Sequence, residues 1–222
     1  MVFGVFAASL SADSEWEISE NRLVRYLGKE KTVTIPSEIN GFTVSTVGKV
    51  AFGGSNVESV YIPDSVLKIE SGVFQSCDYL QKVRLSKNLT DIGEYAFYDT
   101  SSLTELYIPK SVENIGEMAF GYKLDLSDEC LGPVLHPSFR AYVYSDTEAE
   151  RYCKTNRIVY TVIDKDFDIN NDGEVDITDA MILFYGVAQK APLDAGIGDL
   201  NKDNATDISD AMRLFYYVAK KY

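Results

Sequence analysis

The chain has 222 residues, 45% of them hydrophobic and 25% charged, which places it among folded proteins of one or two domains and excludes a long multidomain enzyme. With 21 Lys and Arg against 34 Asp and Glu, its formal net charge of −13 repels phosphate backbones. Nucleic acid is therefore not an expected partner.

Residues 1–12, MVFGVFAASLSA, are small and apolar but lack a basic start and are too short to cross a bilayer, so no direct membrane insertion is expected. They read as the clipped end of a secretory signal or as an extraneous tail. Trp16 to Gly28 has the pattern of a short hairpin leading into Val33-Thr34-Ile35-Pro36.

From there the chain is periodic. An Ala-Phe or Val-Phe pair recurs at Phe52, Phe74, Phe97 and Phe120, a step of 22 or 23 residues. After each of the first three comes an extended run: Val57-Glu58-Ser59-Val60-Tyr61-Ile62, Leu80-Gln81-Lys82-Val83-Arg84-Leu85 and Leu103-Thr104-Glu105-Leu106-Tyr107-Ile108. A second echo, Val66…Ile69, Leu89…Ile92 and Val112…Ile115, precedes the next Phe. One such unit cannot bury its own apolar face, so units stack in register as a solenoid, here expected to be an α/β leucine-rich-repeat solenoid with one parallel sheet. Pro36, Pro63 and Pro109 end the strands, Gly93 and Gly116 are expected to permit a tight bend, and the Phe column fills the convex half of the core. Cys77 stands where Thr100 stands one unit later, as a small buried repeat residue.

Residues 121–137, with Gly and two Pro, read as an inserted surface loop. Residues 138–163 read as strand, short helix capped by Ser145 or Asp146, and final strand, closing the stack. The three cysteines lack zinc-site spacing; Cys130 and Cys153 lie in or near this cap, either free or as a disulfide. The Ile-Pro-x-x-Val-x-x-Ile-Gly-x-x-Ala-Phe-x-x-Cys/Thr-x-x-Leu pattern over residues 30–120 resembles the bacterial BspA-type leucine-rich repeats. That resemblance implies a recognition fold without fixing the ligand. Strand stacking would align Tyr61, Arg84 and Tyr107 in one outward column, a candidate face for a protein or polysaccharide ligand; the plainer alternative is that these rings only brace neighbouring strands.

From Asp164 onward acidic residues become evenly spaced. Asp168-x-Asn170-x-Asp172-Gly173-Glu174-x-Asp176-x-x-Asp179 offers the donors of a twelve-residue calcium loop, with Glu174 contributing its carbonyl. The pattern recurs 31 residues later as Asp199, Asn201, Asp203, Ala205 through its carbonyl, Asp207 and Asp210, with Asn204 in the glycine's place. Two calcium ions are therefore expected. Each loop runs into a similar helix, Ala180–Val187 or Ala211–Val218, and no helix fits before the first loop.

Two loop–helix units without entering helices resemble the type I dockerin family over residues 166–221. The resemblance implies a small all-α module that docks, with calcium, on a cohesin domain of a scaffolding protein. It places the recognition residues at Ile177, Thr178, Phe184, Tyr185 and Gln189 in the first half and at Ile208, Ser209, Phe215, Tyr216 and Lys220 in the second. Where many members carry Ser-Thr and Lys-Arg, this chain carries Ile-Thr or Ile-Ser and Phe-Tyr. Either the cohesin platform is apolar, or some of these aromatics pack inside the module or against the solenoid.

The expected organisation is thus a tail at 1–12, a capped solenoid at 13–163 and a dockerin at 164–222. With no Pro/Ser/Thr-rich spacer near Asp164, the two modules should hold a fixed orientation. The expected function is that of a secreted, non-catalytic component of cellulosome type, extracellular or attached to the cell surface through a scaffold. The rival is a dockerin-tethered enzyme such as a polysaccharide hydrolase; His136, the single histidine, gives it little chemistry to work with.

Overall fold

The computed structural model describes residues 15–127, 132–163, 169, 175–188, 200 and 207–221. Strands β1 (Trp16–Ser19) and β2 (Arg22–Tyr26) form the expected antiparallel hairpin. After β3 (Thr32–Thr34), a second hairpin joins β4 (Glu38–Ile39) to β5 (Phe42–Thr43) through Asn40-Gly41, both at positive φ as a two-residue turn of this kind requires. Beyond β6 (Thr46–Val47) each unit contributes a three-residue strand and a two-residue strand. These are β7 (Ser59–Tyr61) with β8 (Lys68–Ile69), β9 (Lys82–Arg84) with β10 (Asp91–Ile92), and β11 (Glu105–Tyr107) with β12 (Asn114–Ile115).

The coil has three hydrogen-bonded faces where one was expected. On the first, β3, β7 and β9 pair in parallel, with Val33, Val60 and Val83 in one inward row. Ile35 and Ile62 each donate one further N–H to the next coil before the proline that could not, so Pro36 and Pro63 end the strands as expected. On the second, the short echoes are strands: β6, β8, β10 and β12 pair in parallel, and the β1–β2 hairpin closes that sheet's edge through β2.

The third face is the turn around each Phe. Phe52, Phe74 and Phe97 donate their N–H to the carbonyls of Val73, Ala96 and Ala119 in the next coil, at 2.9, 2.8 and 2.7 Å. Left-handed residues flank them: Val50, Gly72, Tyr95 and Met118 two places before each Phe, and Gly54, Ser76 and Asp99 two places after the first three. Such a backbone costs an ordinary residue about 1–2 kcal/mol. It persists because it aims further N–H groups at the next coil, as from Val50 to Ser71 and from Tyr95 to Glu117. The alternation also interrupts any helical run, so the repeat units hold no helix among the described residues, a correction to the α/β expectation for the repeats.

The role expected of two glycines also changes. Neither Gly93 nor Gly116 has a positive φ. A Cβ on Gly93 would lie 2.5 Å from the carbonyl carbon of Glu70, and one on Gly116 would lie 2.4 Å from the amide nitrogen of Glu94. They let successive coils approach; the bend itself is made two residues later.

Inside, Phe52, Phe74 and Phe97 stack at 5.1 Å between centroids, continuing at the N-terminal end into Tyr26 and Trp16. Cys77 is buried and donates to the Phe52 carbonyl. At the other end Phe120 packs on Phe139 and Tyr152.

The segment read as a loop contains an antiparallel hairpin, β13 (Tyr122–Asp125) with β14 (Gly132–Leu135); its Pro133 sits in a two-stranded ribbon where the missing donor is tolerated. The cap follows as expected, with β15 (Arg140–Tyr144), α1 (Glu148–Asn156) and β16 (Tyr160–Ile163). Thr147, one residue past the expected caps, is the N-cap, and its side chain accepts from Glu150 N–H. Cys153 is a free thiol buried in α1, and burial pushes it up to about 12; Cys130 lies outside the described residues. In the cap β11, β15 and β16 form a parallel sheet of their own, alongside β9 but not laddered to it.

Helices α2 (Ile177–Ala188) and α3 (Ile208–Lys221) pack together at the C-terminal end, around Ala180, Leu183, Ala211, Leu214 and Val218. That small core also takes in Ile163 of β16 and is flanked by Tyr107, Tyr142 and Tyr144 of the solenoid.

Candidate partner-binding surfaces

The two helices begin in the same way. Asp179 is completely buried, and its carboxylate accepts from Ile169 N–H at 2.7 Å and Asp176 N–H at 2.8 Å. Thirty-one residues on, Asp210 is equally buried and accepts from Leu200 N–H at 2.7 Å and Asp207 N–H at 2.9 Å. One carboxylate thus ties the second and ninth places of its loop to the first turn of its helix. Asp176 and Asp207 in turn accept from the N–H of Thr178 and Ser209, and the Ser209 hydroxyl, with that N–H, holds the Asp207 carboxyl below its ordinary range.

The chemistry of these four residues suits a hard divalent cation: they offer only oxygen, and a buried carboxylate is costly unless its charge is met. The other candidate ligands, Asp168, Asn170, Asp172, Glu174, Asp199, Asn201, Asp203 and Ala205, lie outside the described residues. Among the described residues no three His, Cys, Asp or Glu side chains gather as a metal cluster.

Of the candidate docking residues, Ile177, Phe184, Tyr185, Ile208, Phe215 and Tyr216 are all exposed, between 44 and 64%. Thr178 and Ser209 are exposed beside them. Met181 and Met212, which the sequence reading passed over, extend the same apolar surface. They could have been found from their matching places in the two helices. Gln189 lies outside the described residues, and so does the side chain of Lys220.

The aromatic that does pack on the solenoid is one that was not singled out. Tyr217 meets Tyr107 edge-on at 5.7 Å and 75°, and Tyr107 lies flat on Tyr142 at 4.3 Å and 6°. Burial raises the hydroxyls of both Tyr107 and Tyr217 above the ordinary tyrosine range. Tyr107 therefore does not complete an open column with Tyr61 and Arg84, because a helix covers it. What stays accessible on that face is Tyr61, 38% exposed, with the Arg84 guanidinium 4.3 Å above its ring.

A shallow groove of about 620 Å³ runs along the other sheet and is lined by Lys68, Glu70, Asp91, Glu113 and Glu148 among others. Three of its carboxylates have partners. Glu70 is bound by Arg22 at 2.7 Å and by Lys49 N–H at 2.9 Å, which holds its carboxyl below the ordinary range. Asp91 accepts from Thr90 and Asn114, and Glu148 is paired with Arg151. His136, at the cap hairpin, is bonded to the Ser101 carbonyl and receives Ser138 N–H.

Residues 26–127 match a profile of the BspA type leucine rich repeat region, in six copies. A leucine-rich repeat protein from Bacteroides capillosus is 37% identical to the chain, over 42% of this chain and 74% of that one, with a TM-score of 0.40. Residues 26–127 of this chain are a BspA type leucine-rich repeat region. The leucine-rich repeat protein of T. pallidum is 26% identical over 48% of this chain and 64% of its own, with a TM-score of 0.42. A leucine rich cell surface protein from Faecalibacterium prausnitzii is 25% identical over 66% of this chain and 37% of its own, with a TM-score of 0.46. The chain thus spans less than two thirds of the length of these last two proteins. No curated protein matches it significantly. No helix among the described residues is long and apolar enough to cross a membrane.

Proposed function

We propose that this BspA-type protein is a secreted, non-catalytic recognition component whose C-terminal helix pair is a dockerin-like module. The module would attach the solenoid to a cohesin domain of a scaffolding protein. The observation that supports this most is the duplicated frame of Asp179 and Asp210, each buried and each tying its loop to its helix. Calcium, when bound, would supply the positive charge that holds the loop carboxylates together. Asp168, Asn170, Asp172, Asp176 and Asp179 would hold one ion, with the Glu174 carbonyl; Asp199, Asn201, Asp203, Asp207 and Asp210 would hold the other, with the Ala205 carbonyl. Ile177, Thr178, Phe184, Tyr185 and Gln189, with Ile208, Ser209, Phe215, Tyr216 and Lys220, would meet the partner. The exposed aromatics favour a platform of apolar character on the cohesin. On the solenoid, Tyr61 and Arg84 would carry the contact to a protein or polysaccharide ligand.

Titration calorimetry with calcium on the full chain, followed by pull-down against a panel of cohesins with and without chelator, tests the proposal. Uptake of two ions and calcium-dependent capture of a cohesin are expected. Absence of calcium uptake, or helices equally protected from exchange in excess chelator, would remove it.

A further inference from the structure

The two halves of the helix pair share one plan, yet the ring contact with the solenoid comes from the second half, through Tyr217. Aligning the halves on their buried carboxylates puts Ala180 against Ala211, Leu183 against Leu214 and Val187 against Val218. The paired alanines and leucines are buried alike, and Phe184-Tyr185 and Phe215-Tyr216 are exposed alike. Between Ala180–Val187 and Ala211–Val218 the likeness fails at two places: Ile182 stands opposite Arg213, and Gly186 stands opposite Tyr217. Tyr217 is the residue that reaches the stacked pair Tyr107–Tyr142.

We propose that the Tyr107–Tyr142 pair is a docking site for the α3 half alone, and that Tyr217 fixes which way round the helix pair sits on the solenoid. Turned by half a revolution, the pair would present Gly186 to the two rings, with no side chain to cover them. An edge-to-face ring contact that also removes apolar area from water favours the observed orientation over the turned one. Tyr144 and Val187 pack around the same core, and Tyr144 is a further neighbour of Tyr217. The consequence is that two similar apolar faces, Phe184-Tyr185 and Phe215-Tyr216, stand in unlike positions relative to the solenoid face that carries Tyr61 and Arg84. Whatever engages either face then meets the solenoid at a set angle. Neither calcium nor an outside partner enters this inference, so it can fail or stand apart from the proposed function.

The test is the full chain with selectively labelled tyrosines, in which the Tyr107 and Tyr142 rings are followed by nuclear Overhauser contacts. In the wild type these rings should contact Tyr217. In Tyr217→Ala the contacts should be lost and the cap strands Arg140–Tyr144 and Tyr160–Ile163 should exchange faster, while the strands around Phe52 to Phe97 stay protected. In Gly186→Tyr/Tyr217→Ala the ring contacts should reappear with the side chain at position 186. Unchanged ring contacts to α3 in either variant would overturn the proposal, as would a double variant whose rings stay uncovered while helix content is retained.

Discussion

Replacing Gly93 by alanine separates two reasons for a glycine in each coil. If Gly93 served a bend, the added methyl would matter through backbone conformation, and its φ already suits an ordinary residue. In the structure the Cβ would instead lie 2.5 Å from the Glu70 carbonyl carbon, 2.6 Å from the Ser71 nitrogen and 2.8 Å from the Glu70 oxygen. Ordinary contact is about 3.5–4.0 Å, so two coils must part by about 1 Å where no side chain can yield. The bonds at risk are Gly93 N–H to Ile69 O at 2.8 Å and Gly72 N–H to Glu94 O at 2.9 Å. Overpacking of this kind costs about 1–3 kcal/mol, and a weakened hydrogen bond adds about 0.5–1.5. Alanine returns about 0.4–1 kcal/mol by stiffening the unfolded chain. The net loss is about 0.5–4 kcal/mol and centres near about 2, which is about 4–8 °C in melting temperature at this size. Gly132→Ala is the control, because nothing lies within 4 Å of a Cβ there. Thermal unfolding of the three proteins by circular dichroism decides the matter. Equal melting of Gly93→Ala and Gly132→Ala would refute the close-approach account.

Phe74→Ala should cost about 3–5 kcal/mol, since the ring is fully buried between Phe52 and Phe97; urea unfolding measures it, and amides on both flanking coils should exchange faster. Glu70 has a folded-state pKa below its ordinary 4.5 because Arg22 and Lys49 N–H bond the carboxylate. Its stabilisation is therefore present above about pH 4.5 and lost as pH falls through the lower folded value, at most about 1 kcal/mol for so exposed a pair. Glu70→Gln should remove that part of the acid dependence of stability between pH 5 and pH 3, as followed by denaturant melts of both proteins (about one pH unit per step). Asp179→Asn and Asp210→Asn would each turn an amide NH₂ toward a backbone N–H inside a buried site, at a cost of about 1–3 kcal/mol. Each should loosen its own helix in hydrogen exchange without touching the solenoid strands.

Much of the solenoid was legible because a repeat announces its own alignment. Once Phe52, Phe74 and Phe97 are set in register, the inward Val-x-Ile pairs and the terminal prolines follow. The turn was not legible. Its left-handed column holds Val50, Gly72, Tyr95 and Met118, residues with nothing in common, because their conformation is imposed by the next coil and not chosen by their own propensity. The glycines that do align, Gly93 and Gly116, answer to another demand, and a pattern alone cannot tell a backbone approach from a backbone bend. Pro133 misled in a similar way. A proline argues against a central strand but is tolerated in a two-stranded ribbon.

In the last third, likeness and departure carried different information. The spacing that pairs Asp179 with Asp210 pointed to two loops of one plan, and the structure gives both carboxylates equivalent partners at nearly the same distances. An alignment of the halves treats Gly186 and Tyr217 as noise, which is why Tyr217 went unnoticed and Tyr107 was taken for open surface. Yet a duplicated unit attached to a single body must break its symmetry somewhere, since its two copies cannot meet that body in the same way. The break is cheapest where one copy gains a large side chain and the other has none to collide. Tyr217 against Gly186 meets that condition, and the stacked rings of Tyr107 and Tyr142 supply the complementary surface.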